Sequence, residues 1–300
     1  MGVTTIKNQN LKAELCASAG NIIWGFGFLL TKLALAGAPS PTVILAHRFI
    51  ISSLCMALIL LFGKKKISFK GKNWLPIALL LLLQVSYYLF ETYGILYTNA
   101  TISGLVLAVV PVVAIGTGAL FLREYPTRRQ ALFCILPVAG VIIMTISGKE
   151  LGVVTPMGIL FLALTLLSSA LFKTVNRKAA QEFTPFERTF LVLSVSAIFF
   201  SVTALREVGW NAANFVAPLA NIRYLLPVLC LSLLNSIGAN MLVNYATGKM
   251  SVFKVASFGS LSTLCSTVAG VLFLQEPVSI ALLLGAVLIL VGIRQVNKAK

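Results

Sequence analysis

The stretch "YGILYTNATISGLVLAVVPVVAIGTGALFLREYPTRRQALFCILPVAGVIIM" (Tyr93–Met144) returns in the second half of the chain as "NYATGKMSVFKVASFGSLSTLCSTVAGVLFLQEPVSIALLLGAVLILVGI" (Asn244–Ile293). Under one shift of 152 residues Tyr93 falls on Tyr245, Gly118 on Gly270, Leu120-Phe121-Leu122 on Leu272-Phe273-Leu274, Glu124 on Glu276 and Gly140 on Gly292. A constant offset through three successive apolar runs marks an internal repeat. The first two runs of each half need a shorter shift, which aligns Pro41 with Pro185.

Outward from that stretch, the hydropathy pattern gives ten apolar runs, at about 12–36, 42–63, 73–97, 101–123, 127–147, 155–178, 184–206, 222–246, 250–274 and 278–297. Each is close to the twenty or so residues that cross a hydrocarbon core as a helix. The predicted fold is therefore an all-α integral membrane protein. Its ten transmembrane helices form two five-helix repeats around a central cavity, residues 1–149 (spans 1–5) and 150–300 (spans 6–10). An odd number of spans per repeat inverts one half relative to the other, the arrangement of many secondary transporters.

Composition agrees with that class. Mean hydropathy is +0.96, and charged residues make up 11% of the chain, far below the roughly one quarter of a soluble domain. The net charge of +16 does not point to nucleic acid, because the basic residues lie in short connectors between apolar runs. With the N-terminus cytoplasmic, the inner side takes the 64–72 stretch, Arg123, Arg128, Arg129, Arg177, Lys178 and the C-terminal lysines. The outer side takes only Lys149, Arg206 and Arg223. This positive-inside bias places both termini in the cytoplasm. The first span lacks a convincing cleavage site and reads as a helix, not a removed signal peptide. The five cysteines form no CxxC and read as small hydrophobes.

An intramembrane enzyme is disfavoured. The chain has no Asp, a single His and no GxSxG, so aspartate dyads, HExxH zinc chemistry and a serine elbow are excluded. No cofactor and no metal are expected. A channel is disfavoured by the repeat and by charges that form no ring.

The repeated stretch resembles the signature half of EamA-type proteins of the drug/metabolite transporter superfamily, and its return resembles their second copy. Trp24-Gly25 and the Pro41…Arg48 spacing are also similar to that family. The resemblance covers essentially the whole chain. It implies a cavity built mainly by spans 1, 3, 4, 6, 8 and 9. It also implies transport of a small molecule: amino acids and other metabolites in exporting members, sugar phosphates or nucleotide sugars in relatives. In the second copy Thr263 stands where Pro111 does in the first, and no tryptophan answers Trp24, so the halves are expected to move unequally.

Ionisable groups inside spans are the informative residues, since each costs about 2.5–3.5 kcal/mol at mid-bilayer on insertion scales. Glu91 leads, on a stripe with Gln84, Tyr87, Tyr88 and Thr98. It suits proton coupling or binding of a substrate amine; the structural alternative is an ion pair with a neighbouring helix. Thr165, Ser169, Lys173 and Arg177 step by four along span 6. Lys173 could hold a carboxylate or phosphate, and Arg177 fits snorkelling to the inner surface. Lys254 is balanced between ligand contact and snorkelling. Asn240 and Asn244 share a face of span 8, as substrate ligands or as helix-packing amides. Asn21, Trp24 and Phe28 share a stripe of span 1, as cavity wall or packing face. Arg48, beside His47, reads as a structural clamp. Pro111 and Pro137 mark kinks.

Together Glu91, Lys173 and Lys254 favour export of a small zwitterionic or anionic metabolite, most simply an amino acid, with protons as coupling ion. The alternatives are an exchanger of phosphorylated metabolites or a flippase for lipid-linked molecules. The expected setting is a bacterial inner (cytoplasmic) membrane, with the protein a monomer or homodimer, bound to the lipid bilayer and to no nucleic acid.

Overall fold

The computed structural model describes residues 2–63, 67–68, 71–97, 106–146, 155–274 and 280–298. The connector at Thr98 and Asn99, Lys149 and Glu276 lie outside the described residues. Among the described residues there is no strand.

Local sequence sets the helix starts. Ser40-Pro41, Thr155-Pro156 and Thr184-Pro185 each place a hydroxyl at the N-cap and a proline in the first helical turn. Those hydroxyls accept from Val43, Gly158 and Glu187 amides, while proline lacks a donor that would be orphaned there. The helices they open are α2 (Pro41–Phe62), α7 (Pro156–Ala179) and α8 (Pro185–Glu207). The other elements are α1 (Gly2–Leu35), α3 (Leu75–Tyr97), α4 (Val110–Leu122), α5 (Arg128–Phe133), α6 (Ile135–Ile146), α9 (Ala212–Val216), α10 (Ile222–Cys230), α11 (Asn240–Lys249), α12 (Val252–Phe258), α13 (Ser260–Leu274) and α14 (Ile280–Lys298). A π-helical segment, Leu231–Ala239, joins α10 to α11. Six stretches are long and apolar enough to cross a membrane: Leu11–Leu35, Pro41–Phe62, Pro156–Ala179, Pro185–Glu207, Ile222–Lys249 and Ile280–Lys298. Leu75–Glu91 and Val110–Leu122 are shorter apolar helices.

Three expected spans are each divided. The fifth breaks at Cys134, three residues before Pro137, where the proline cannot donate to the preceding turn. The ninth breaks at Gly259 although it lacks the proline of the fourth span, which is interrupted at Val109 just before Pro111. Here serine hydroxyls take over backbone carbonyls: Ser257 Oγ donates to Lys254 O and Ser262 Oγ to Gly259 O. Both copies are thus interrupted at matching depth by different chemistry.

The halves pack across each other. α3 lies on α7 while α1 lies on α11, and α4 lies on α7 while α1 lies on α13. Exchanging the halves turns each of these contacts into the other. α2 with α8, α6 with α14, and α4 with α12 are their own mates. One crossing shows the relation in atoms. A methyl at Gly140 would meet Gly285 O at 2.6 Å and Ile289 at 2.9 Å, and one at Gly292 would run into Pro137. Since the 152-residue shift carries Gly140 to Gly292 and Pro137 to Ile289, one contact is made twice.

Candidate functional site

A cavity of about 520 Å³ opens between α1, α2, α3, α7, the π segment, α11 and α13. Its walls follow helical periodicity: Trp24, Gly27, Thr31 and Leu35 on α1, Pro41, Ile44, Leu45 and Arg48 on α2, Gln84, Tyr87, Tyr88 and Glu91 on α3, and Ser169, Phe172 and Lys173 on α7. Asn235, Asn240 and Ser262 complete it.

The polar groups are tied at one end of the cavity and loose at the other. Tyr87 Oη donates to Glu91 Oε1 at 2.7 Å. Arg48 Nε donates to Ser236 Oγ at 2.6 Å, and its charge acts on the Glu91 carboxylate without forming an ion pair. The structural pairing weighed for Glu91 is therefore absent among the described residues, whose ion pairs are Lys72–Glu187 and Arg177–Glu124. Lys173 carries no hydrogen bond and no carboxylate partner among them.

The π segment forms the wall opposite. Its wider turn leaves carbonyls for side chains, and such segments concentrate at functional sites. Asn235 O accepts from Trp24 Nε1 at 3.2 Å, Ser236 O from Asn240 Nδ2 at 2.8 Å, and Ser232 O from Ser52 Oγ at 3.1 Å. In return Asn235 Nδ2 donates to Ile23 O at 3.0 Å. Gly27 makes this possible, because a Cβ there would sit 2.7 Å from that amide.

Of the residues singled out from sequence, the structure brings Glu91, Trp24, Tyr88, Lys173, Ser169 and Asn240 to this one cavity. Asn21, Asn244 and Lys254 do not line it. Asn21 is buried, and its Nδ2 donates to Ala17 O of its own helix at 2.7 Å. Lys254 sits on α12, where its charge acts on Glu14 of α1. Asn244 belongs to a second polar centre, in which Arg188, 1% exposed, donates to Asn176 O, Asn176 Oδ1 and Asn244 O at 3.1, 2.5 and 2.6 Å. Asn244 there accepts from Asn176 Nδ2 and donates to Thr189 Oγ1. Arg48, Tyr87, Gln84 and Asn235 also line the cavity; of these, sequence had read Arg48 as a clamp and had placed Gln84 and Tyr87 on the Glu91 stripe.

Among the described residues the second span supplies one wall, and Val110–Leu122 of the fourth span, which the family resemblance implied, supplies none. α4 sits behind α7, where Thr117 Oγ1 and Thr174 Oγ1 lie 2.8 Å apart, on a different face from Ser169 and Lys173.

Beyond Lys173 the helix ends are closed. Arg177 Nε donates to Glu124 Oε1 at 3.0 Å and its Nη1 to Thr247 O at 3.1 Å, while Glu124 Oε2 accepts from Val252 N at 2.8 Å. At the other end the lining reaches Leu35 and Pro41, and Glu207 accepts from Ser40 and Thr42.

A model of the EamA-like transporter family matches residues 11–146 and again 156–297. The chain is 31% identical over 292 residues to an uncharacterized transporter, YcxC, of Bacillus subtilis (strain 168), covering 96% of this chain and 93% of that one. It is 28% identical over 279 residues to a second from the same organism, YvbV, covering 92% and 88%. It is 22% identical over 274 residues to an uncharacterized transporter of Archaeoglobus fulgidus, covering 90% and 93%. A crystal structure 18% identical in sequence superposes with a TM-score of 0.74 over 94% of this chain and 95% of the other, a likeness of fold.

Proposed function

The chain belongs to the EamA-like transporter family, and from that premise we propose that it exports a small zwitterionic metabolite, an amino acid, in exchange for protons. What supports the reading is the cavity's charge arrangement: a carboxylate held by Tyr87, a guanidinium within its field, and an unpaired ammonium at the closed end. Glu91 and Arg48 offer complementary charges to an α-ammonium and an α-carboxylate. Trp24, Tyr88 and Phe172 cover the apolar parts, and Ser169 and Asn240 offer polar contacts.

In this reading the two repeats lie inverted in a bacterial inner membrane, with both termini cytoplasmic. The α1–α2 junction is then external, so the cavity opens outward while the Arg177–Glu124 and Arg188–Asn176–Asn244 ties close the inside. Alternating access follows from rocking the halves about the cavity. Coupling is a competition for one carboxylate. Outside, a proton replaces the substrate ammonium on Glu91; inside, the ammonium replaces the proton. Each turn moves one substrate out and one proton in.

Counterflow in proteoliposomes tests this, with pooled labelled amino acids against pooled labelled sugar phosphates. The expected result is uptake of labelled amino acids by the wild type, accelerated by an outward proton gradient (lumen acidic), since protons leaving drive substrate in. Glu91→Gln is expected to lose the dependence on that gradient. Uptake of sugar phosphates alone would favour exchange of phosphorylated metabolites, carried by Arg48 and Lys173. Unchanged gradient dependence in Glu91→Gln would remove the coupling role.

A further inference from the structure

We infer that the substrate is a dicarboxylic amino acid: its α-ammonium and α-carboxylate lie between Glu91 and Arg48, and its side-chain carboxylate lies on Lys173. This rests on the amino-acid reading above and narrows it.

Register sets the spacing. α3 and α7 run antiparallel, with Gly94 against Leu162 and Thr155 N donating to Tyr97 O. Glu91 therefore stands level with residue 165, and Lys173 lies eight residues farther along α7, about 12 Å at 1.5 Å per residue. Side chains lean toward the N-terminus of their own helix, so in this antiparallel pair Glu91 and Lys173 lean toward each other. Arg48 belongs to the Glu91 level: it lies seven residues into α2 from Pro41, and Glu91 lies six residues from the end of α3 at Tyr97, the two ends that meet the same face.

An α-amino acid headgroup cannot bridge both levels. Held at Glu91 and Arg48, it leaves the Lys173 ammonium unanswered in a site that has no carboxylate for it. An unpaired charge away from water is costly, so a neutral side chain reaching that end is penalised, whereas a carboxylate two or three methylenes from Cα spans the gap, at roughly 1.5 Å per bond. Charge leads to the same class. Arg48 and Lys173 against Glu91 leave the cavity one positive charge in excess, and an acidic amino acid brings a net negative one. Selection then operates by leaving a polar partner unsatisfied in the wrong complex, the stronger of the ways a site can discriminate.

The experiment is counterflow with labelled L-glutamate and its isostere L-glutamine, in reconstituted wild type, Lys173→Met and Lys173→Arg. The expected result is glutamate exchange about tenfold or more faster than glutamine in the wild type. Lys173→Arg should keep that preference, and Lys173→Met should level the two. Glutamine exchanged as fast as glutamate by the wild type would overturn the acidic class and leave amino-acid export standing. Exchange of other amino acids but of neither probe would do the same, and failure with every amino acid would overturn both readings. A preference that survives in Lys173→Met would remove Lys173 from the site.

Discussion

At the scale of single residues, the chain spends charge sparingly, and the cations inside its helices divide by what they face. Lys173 faces a void and has no partner; Arg188 is enclosed and ties three helices. Arg188 reaches backbone carbonyls of α7 and α11 from α8, so its loss unfastens their inner ends. Charge-assisted bonds contribute about 1.5–3 kcal/mol each, set against relief from burying the charge, so Arg188→Met should cost about 2 kcal/mol net. A lowered thermal midpoint in detergent is the expected readout, and an unchanged one would show the centre to be dispensable. Arg188→Lys should not restore it, because a point charge cannot fork between two helices. Sequence marked Glu91 and Lys173 by the cost of burying them, and that argument needs no knowledge of neighbours. It did not separate Asn240 from Asn244, four residues apart on one helical face. Which of the two meets the cavity depends on how α11 leans against α8, where Thr189 and Arg188 hold Asn244.

At the scale of elements, the helix starts were readable because a hydroxyl followed by proline is a local signal. The break at Cys134 was signalled by Pro137, whereas the break at Gly259 and the π segment were harder to see, since apolar periodicity continues through them. The family pattern could not reveal that, among the described residues, Val110–Leu122 of the fourth span packs on α7 away from the cavity lining. The α6–α14 crossing carries a prediction of its own. Its glycine contact is made twice, so Gly140→Val and Gly292→Val should each destabilise, by about 1–3 kcal/mol for overpacking. Similar drops in detergent midpoint are expected; one variant tolerated and the other not would break the symmetry argument. Facing the π segment from α1, Trp24→Phe keeps the aromatic surface and deletes the donor to Asn235 O. Transport should fall severalfold with helix content unchanged, as measured by counterflow beside circular dichroism.

At the scale of the whole molecule, the proposed rocking mechanism makes ties at one end and a void reaching the other a single state of the cycle. The proposed orientation puts the α1–α2 junction outside, so a membrane-impermeant thiol reagent added to whole cells should label Thr31→Cys in a background without the native cysteines. Thr174→Cys, beyond the void, should resist it from either side. Glu124→Gln loosens the Arg177 tie and the Val252 cap together, and should make Thr174→Cys reactive in inverted vesicles. If Thr31→Cys labels only from inverted vesicles, the assigned orientation is wrong.

The exchange of partners between halves reaches back to how the protein is made. Helices α1, α3 and α4 bury faces against α7, α11 and α13, which the ribosome has yet to synthesise when the early spans enter the bilayer. The first half must therefore wait in lipid with its mating surfaces, and the Glu91 and Arg48 side chains, unclaimed. Biogenesis rather than transport then sets the sternest demand on those surfaces: they must tolerate lipid for the seconds of translation and prefer a late-arriving twin thereafter. Fragments 1–149 and 150–300 supplied together should reassemble a working carrier, while either supplied alone should be cleared by membrane proteases.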